Sequence, residues 1–280
     1  MAGPALKKLT GRVVAVTGAA GDIGFHIAKR LASEDATVIL LGRKIPELQS
    51  NVHKIKETTG NEAHYMHLDV TNAQHWRDLA REQPKIQYLV NCAGISQTDL
   101  LPKTSPDGIQ TVLRTNLEGA ILGSKFIGRN MIQRLRGTDE SGQSQVVDKC
   151  IVNVSSLLAR KGVAGAAVYA ASKAGLIGLT TSLAVEYARW GIRSNVVLPG
   201  YIATKMTSKN LFSPFFGRPY QHPPHTPNDI HVGAADELVS QIPAGRFGKP
   251  EEVADAVSFL INNQYANNCI LNLDGGLSAR

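Results

Sequence analysis

The stretch RVVAVTGAAGDIG (Arg12–Gly24) decides the fold. Its first half, Arg12–Thr17, is a short apolar run, which predicts a buried strand. Its second half, Thr17–Gly24, is a Gly-rich turn running into an amphipathic helix predicted over Ile23–Ala32. Strand, glycine turn and helix in that order form the first unit of an alternating α/β chain.

The alternation continues outward from that stretch. Strands are predicted at Ala36–Leu41, Ala63–Leu68, Ile86–Asn91, Cys150–Val154, Arg193–Leu198 and Cys269–Leu273. Helices are predicted over Pro46–Thr58, Gln74–Glu82, Ile109–Leu135, Tyr169–Trp190 and Pro250–Ile261. Near-continuous apolar strands separated by helices imply a parallel sheet covered on both faces. The expected architecture is a Rossmann-type doubly wound α/β sheet of about seven strands with helices on both faces. Residues 1–280 are expected to form one domain. Gly137–Asp148 is polar and reads as an exposed loop. Ser208–Ala235, with PPHTP at its centre, lies beyond the sixth strand, so residues 204–242 are expected to carry a substrate lid.

Composition narrows the function. The chain has 280 residues, 43% of them hydrophobic, and a formal net charge of +7. No continuous apolar run reaches the roughly 18–20 residues that cross a bilayer. The start, MAGPALKKLTGR, carries no secretory apolar region and no clear targeting segment. Cys92, Cys150 and Cys269 are far apart and lack metal-ligand spacing, so no residues are assigned to a metal. Their number and placement predict a reducing intracellular setting, the cytoplasm or the mitochondrial matrix. Lys and Arg are spread along the chain without a dense block, which speaks against nucleic-acid binding. The positive balance suits a solvated surface, an anionic cofactor or an acidic partner.

The turn after the first strand points to a nucleotide. Gly18, Gly21 and Gly24 would let backbone approach a pyrophosphate, and Asp22 and Ile23 open the helix whose free N–H groups face the anion. Simple tight packing is the plainer use of such a turn. The second strand ends in Gly42, with no carboxylate for a ribose, and is followed by Arg43 and Lys44, whose charge suits the 2′-phosphate of NADPH. Asp69 and Val70 at the end of the third strand can face an adenine. Asn91, Ala93 and Gly94 at the end of the fourth are small enough for a cofactor to lie against backbone.

The chemistry is read from YAASK, where Tyr169 and Lys173 lie four apart and share one helix face. Ser156 follows the fifth strand. A hydroxyl, a phenol and an ammonium converging on one carbonyl oxygen fit proton-coupled reduction of a ketone. Tyr201 and Lys205 repeat the same spacing, but Tyr201 follows the turn Pro199-Gly200 and no Ser-bearing strand end precedes it. It is taken as a loop aromatic.

These residues together resemble the short-chain dehydrogenase/reductase family. The likeness covers essentially the whole chain: the glycine turn, NCAG, RTNLEG, VNVSS, YAASK, LPGYIAT, IPAGRFGKPEEVADAVSFL and LDGG. Within it the chain looks most like 3-oxoacyl-(acyl-carrier-protein) reductases and related carbonyl reductases. The resemblance implies a catalytic tetrad of Asn116, Ser156, Tyr169 and Lys173. Lys173 would lower the Tyr169 pKa and hold the nicotinamide ribose, and Asn116 would position a relay water. Backbone of Pro199, Gly200 and Ile202, with the Thr204 hydroxyl, would face the nicotinamide. Two positions depart from the family pattern. Asp22 replaces the middle glycine of the turn, where its charge either opposes the pyrophosphate or caps the helix, and Asn267-Asn268 replace a glycine before the last strand.

The expected substrate is a ketone, either a free small molecule or one carried on an acidic acyl carrier protein. Arg129, Arg134, Arg136, Arg189 and Arg193 are the candidate docking residues. A reductase of free quinones, steroids or other ketones is the alternative enzyme. A non-catalytic nucleotide-binding subunit is the alternative outside catalysis. Family members are commonly tetramers, so a homo-oligomer is expected.

Overall fold

The computed structural model describes residues 9–97, 99–133, 148–207 and 237–279. In chain order the elements are β1 (Val13–Thr17), α1 (Asp22–Ser33), β2 (Thr37–Gly42), α2 (Ile45–Thr59), β3 (Ala63–His67), α3 (Ala73–Glu82) and β4 (Ile86–Asn91). Then come α4 (Pro106–Leu113), α5 (Gly119–Gln133), β5 (Lys149–Val154), α6 (Ala167–Glu186), β6 (Ile192–Pro199), α7 (Pro250–Asn262) and β7 (Ile270–Leu273).

The seven strands form one parallel sheet in the order β3-β2-β1-β4-β5-β6-β7. Alternate residues of each strand feed two cores. Val14, Val16, Val38, Leu40, Val90 and Val152 pack under α1, α2 and α7. Ala15, Ile39, Leu41, Leu89 and Ile151 pack under α3, α5 and α6. This period-two division explains why the inner strands β1, β2, β4 and β5 read as largely apolar runs, since both faces are buried. Each fully buried Leu or Ile contributes about 1.5–3 kcal/mol.

The helix ends follow local chemistry. Asn72 caps α3 by accepting from Gln74 N at 2.8 Å, and Ser105 caps α4 by accepting from Gly108 N at 3.1 Å. The 20 residues of α6 meet the length and apolarity of a membrane-crossing helix, which the run-length reading did not anticipate. Here that apolarity serves packing, because Leu176 and Leu183 are buried.

Two expectations need correction. The single helix predicted over Ile109–Leu135 is two helices separated by a π-helical turn at Arg114–Glu118. An inserted residue of this kind leaves the apolar periodicity on either side nearly intact, so a pattern search reads straight through it. Arg193, expected on the surface, is 7% exposed. It pairs with Asp148 at 3.0 Å and donates to the carbonyls of Leu260, Ile261 and Ala266, closing the end of α7. The left-handed backbone anticipated at Asn267-Asn268 occurs at Asn268, with φ of 56°.

The chain reverses its direction of travel across the sheet between β1 and β4. The crevice beyond their carboxyl ends is the topological switch point, where open α/β sheets bind ligands. The lid predicted at Ser208–Ala235 and the loop at Gly137–Val147 lie outside the described residues, as do Arg134 and Arg136.

Candidate active site

The turn after β1 is built to close on β4. Gly18 has φ of 68°, and a Cβ there would stand 2.8 Å from the Ala93 Cα, so a larger residue meets both strain and backbone. Thr17, not among the predicted site residues, ties the two strand ends together: its Oγ1 accepts from Cys92 N at 3.0 Å and from Ala93 N at 3.1 Å. Asn51 of α2 donates to the Ala19 carbonyl at 2.9 Å and holds the turn from the other side. Gly21 is the N-cap of α1 and has no side chain to occupy the helix N–H groups. A tight turn with open N–H groups at a helix start fits a pyrophosphate.

Asp22 sits in the first turn of α1 but does not cap it. Its carboxylate accepts from the Lys205 backbone N at 2.7 Å, joining the start of α1 to the segment after β6. Gly24 and Ile23 continue the same helix. A cleft of about 510 Å³ lies beside the start of α1, lined by Asp22, His26, Thr204, Lys205 and Phe247 among others. The Thr204 hydroxyl accepts from Thr207 N at 3.1 Å in its wall.

Arg43 and Lys44 are exposed just past β2. Asp69 lies past β3 and accepts from Thr71 N and Thr71 Oγ1 at 2.9 and 2.8 Å. Burial pushes its pKa up, but those bonds and the nearby Arg43 charge outweigh this and leave it below the ordinary value. Val70 is buried, and its carbonyl accepts from Trp76 Nε1 at 2.9 Å. The Asn91 side chain faces inward and donates to Asn153 Oδ1 at 2.9 Å, so only its backbone can meet a cofactor. Ile202 is likewise buried and bridges to Gly248, and Gly200 donates to the Leu273 carbonyl at 2.9 Å.

The structure brings the four predicted catalytic residues into one neighbourhood. Tyr169 and Lys173 lie on the first turns of α6, and Ser156 stands just beyond β5. Ser156 and Tyr169 line one cavity, and the Ser156 hydroxyl accepts from Leu158 N at 3.2 Å as a cap on the short turn Leu157–Ala159. Lys173 is 4% exposed and donates to the Val154 carbonyl at 2.9 Å. Its ammonium is 5.7 Å from the centre of the Tyr169 ring. Gly94 lies so close that a Cβ there would be 3.2 Å from that ammonium.

The electrostatics correct one expectation. Burial raises the Tyr169 pKa, with the Ser156 hydroxyl pulling it down, and Lys173 is not among its leading influences. Burial also lowers Lys173 to about 8, against an opposing pull from Cys92. Cys92 itself is pushed up to about 11 by burial and stays a thiol at neutral pH. Burial in low dielectric is the leading cause at both groups.

Asn116 sits in the π turn and reaches the same neighbourhood differently. Its Oδ1 accepts from Ile95 N at 2.8 Å, and its Nδ2 donates to Ile95 O at 2.9 Å and to Ser172 Oγ at 3.1 Å. Both amide hydrogens are therefore taken, leaving no side-chain donor for a relay water. Its contacts hold the loop after β4 against α6.

A second cavity of about 90 Å³ opens beside the phenol, lined by Ser156, Leu157, Leu158, Ala166, Tyr169, Tyr201 and Met206 among others. Tyr201, read as a loop aromatic, is thus a wall of this cavity and lies 6.2 Å from Phe247, ring to ring. It does not share a helix face with Lys205, since Ile202 between them is in a β-bridge. Gln97 lines the cavity too, and no local sequence signal marks it.

A model of the short chain dehydrogenase family matches residues 12–212. The chain belongs to the short-chain dehydrogenase family. Carbonyl reductase family member 4 of Xenopus laevis is 36% identical over 271 residues, covering 95% of this chain and 98% of that protein. A 3-oxoacyl-[acyl-carrier-protein] reductase of Thermotoga maritima is 33% identical over 276 residues, covering 96% and 99%. Among solved structures, a single-substitution variant of the actinorhodin polyketide ketoreductase with NADPH superposes with a TM-score of 0.83 at 29% identity, covering 96% of this chain and 98% of that one. As a short-chain dehydrogenase this chain is an NAD(P)-dependent oxidoreductase, and its Ser156 and Tyr169 line the smaller cavity described above.

Proposed function

We propose that this enzyme reduces a ketone to a secondary alcohol with NADPH, and that its substrate is a 3-oxoacyl chain borne by an acidic acyl carrier protein. The observation that carries the reading is the Tyr169 phenol, beside Ser156 at the wall of an apolar cavity and on the same helix as the buried Lys173 ammonium.

NADPH, when bound, supplies a hydride to the carbonyl carbon. Tyr169 gives its proton to the carbonyl oxygen as negative charge develops there. Ser156 donates a hydrogen bond to the same oxygen and steadies that charge. Lys173, positively charged below about pH 8, would hold the nicotinamide ribose and adds a minor pull on the phenolate left behind. Gly18, Gly21 and Gly24 and the α1 N-terminus would hold the pyrophosphate, and Arg43 and Lys44 the 2′-phosphate.

The apolar wall of Leu157, Leu158, Tyr201 and Met206 suits an acyl chain. Arg129 and Arg189 are exposed, and Arg189 stacks on Trp190 at 3.9 Å. With the net positive charge they would steer an acidic carrier. Ile121, Val185 and Phe259 expose apolar surface on α5, α6 and α7, which suits self-association into a tetramer. The three free cysteines suit a reducing compartment.

The test compares NADPH oxidation with 3-oxoacyl-carrier protein and with a panel of free ketones. The expected result is a higher kcat/KM for the carrier-linked substrate that falls steeply with added salt. Equal or better turnover of free ketones, indifferent to salt, would make the enzyme a reductase of free carbonyls.

A further inference from the structure

The first turn of α6 carries Tyr169 but has no cap of its own. Its N-cap residue is Ala166, which has no side-chain oxygen. Ala170 N reaches the Ala166 carbonyl at 2.7 Å, yet the N–H groups ahead of it have no carbonyl within the helix to meet. Gln97, far earlier in the chain in the loop after β4, supplies the missing acceptor. Its Oε1 accepts from Val168 N at 2.7 Å and from Tyr169 N at 3.2 Å.

The other half of the same amide faces the opposite way. Gln97 Nε2 donates to the Asp99 carbonyl at 2.8 Å and to Thr104 Oγ1 at 3.2 Å. Two backbone donors on one side and a carbonyl on the other fix which end is oxygen. Gln97 is 6% exposed, and its bond from Val168 N is buried. The reacting groups stand on different elements: Ser156 follows β5, and Tyr169 rides α6. The angle at which α6 enters therefore sets where the phenol meets the substrate carbonyl.

We propose that Gln97 is a positioning residue for catalysis, an N-cap supplied from the β4 loop that holds the first turn of α6 and with it the Tyr169 phenol. The role rests on the reading of Tyr169 as proton donor. Gln97 touches the Tyr169 backbone and acts through it, and none of its bonds reaches the residues that would hold the cofactor phosphates.

Three variants separate the possibilities. Gln97→Met keeps the shape and removes the acceptor. Gln97→Glu keeps the acceptor for both N–H groups and loses the donors to Asp99 and Thr104. Tyr169→Phe tests the underlying reading. Each is assayed for ketone turnover, for NADPH binding, and for amide hydrogen exchange at Val168 and Tyr169.

In Gln97→Met, kcat falls about tenfold or more, because small misplacements of a reacting group are amplified in rate. The NADPH Kd stays within about twofold, and the two amides exchange faster. In Gln97→Glu, both amides stay protected and kcat returns to within about threefold of the parent. A parent-like kcat in Gln97→Met, with Tyr169→Phe inactive, overturns the proposal and leaves the proton donor in place. Parent-like turnover in Tyr169→Phe overturns both. Should Gln97→Met fail to fold, Gln97→Glu decides alone: a roughly tenfold loss with both amides protected would assign the effect to the Asp99–Thr104 loop and overturn the capping role.

Discussion

Lys173 Nζ donates to the Val154 carbonyl at 2.9 Å, which anchors the ammonium of α6 to the last residue of β5. The bond places a cation in a buried pocket, and burial lowers its pKa from 10.5 to about 8. The folded state therefore resists holding this proton more than the unfolded chain does. The cost is fully present below about pH 8 and is released as pH rises from there toward 10.5.

Replacing Lys173 with Met should accordingly stabilise the fold while removing activity. At pH 7 the gain is on the order of 1–3 kcal/mol, reduced by the carbonyl left without its donor. Thermal unfolding across pH checks it. The gain should shrink as pH rises through 8 and disappear above about 10.5. A gain that is flat with pH would assign it to packing.

Arg43 tests the choice of cofactor. Arg43→Ala removes one of two exposed cations past β2, so kcat/KM with NADPH should fall about tenfold with little change for NADH. Equal losses with both cofactors would mean that Arg43 does not meet the 2′-phosphate.

Asp22 stands where a pyrophosphate would approach the α1 N-terminus. Asp22→Gly should tighten NADPH binding a few-fold at low salt, by removal of like-charge repulsion, with the difference fading as salt rises. The same variant should lose about 1 kcal/mol of stability, since the carboxylate favours the helix start and holds Lys205 N at 2.7 Å. Calorimetric titration at two salt concentrations measures the first effect. Weaker binding in the variant would show that the Lys205 link shapes the cofactor site.

Arg193 supports the fold and not a partner. Arg193→Met leaves the half-buried Asp148 carboxylate with Tyr88 as its donor and takes the guanidinium from the Leu260 and Ile261 carbonyls, and should cost about 3 kcal/mol in chemical denaturation. A stable variant with weakened carrier binding would restore the docking role.

What the sequence made legible follows from range of interaction. Strand runs, the glycine turn after β1 and the spacing of Tyr169 and Lys173 are local patterns, and they place the sheet and the reacting groups. Gln97 capping α6, Thr17 tying β1 to β4 and Asn51 holding the turn at Ala19 are contacts between distant segments with no local signature. Arg193 looks like any surface cation until Asp148 and the end of α7 are brought to it. Tyr201 shares its spacing to Lys205 with the catalytic pair, and only the β-bridge at Ile202 shows that the two never share a face. The influence of Lys173 on Tyr169 is overstated by sequence alone, because charge spacing is visible there and burial is not.

The most direct test is Tyr169→Phe, which keeps the ring and removes the phenol hydroxyl that shares a cavity wall with Ser156. NADPH oxidation with a ketone substrate is measured beside NADPH binding. Turnover should fall by about a thousandfold or more while the Kd changes no more than a few-fold. Near-normal turnover in the variant would contradict Tyr169 as the proton donor.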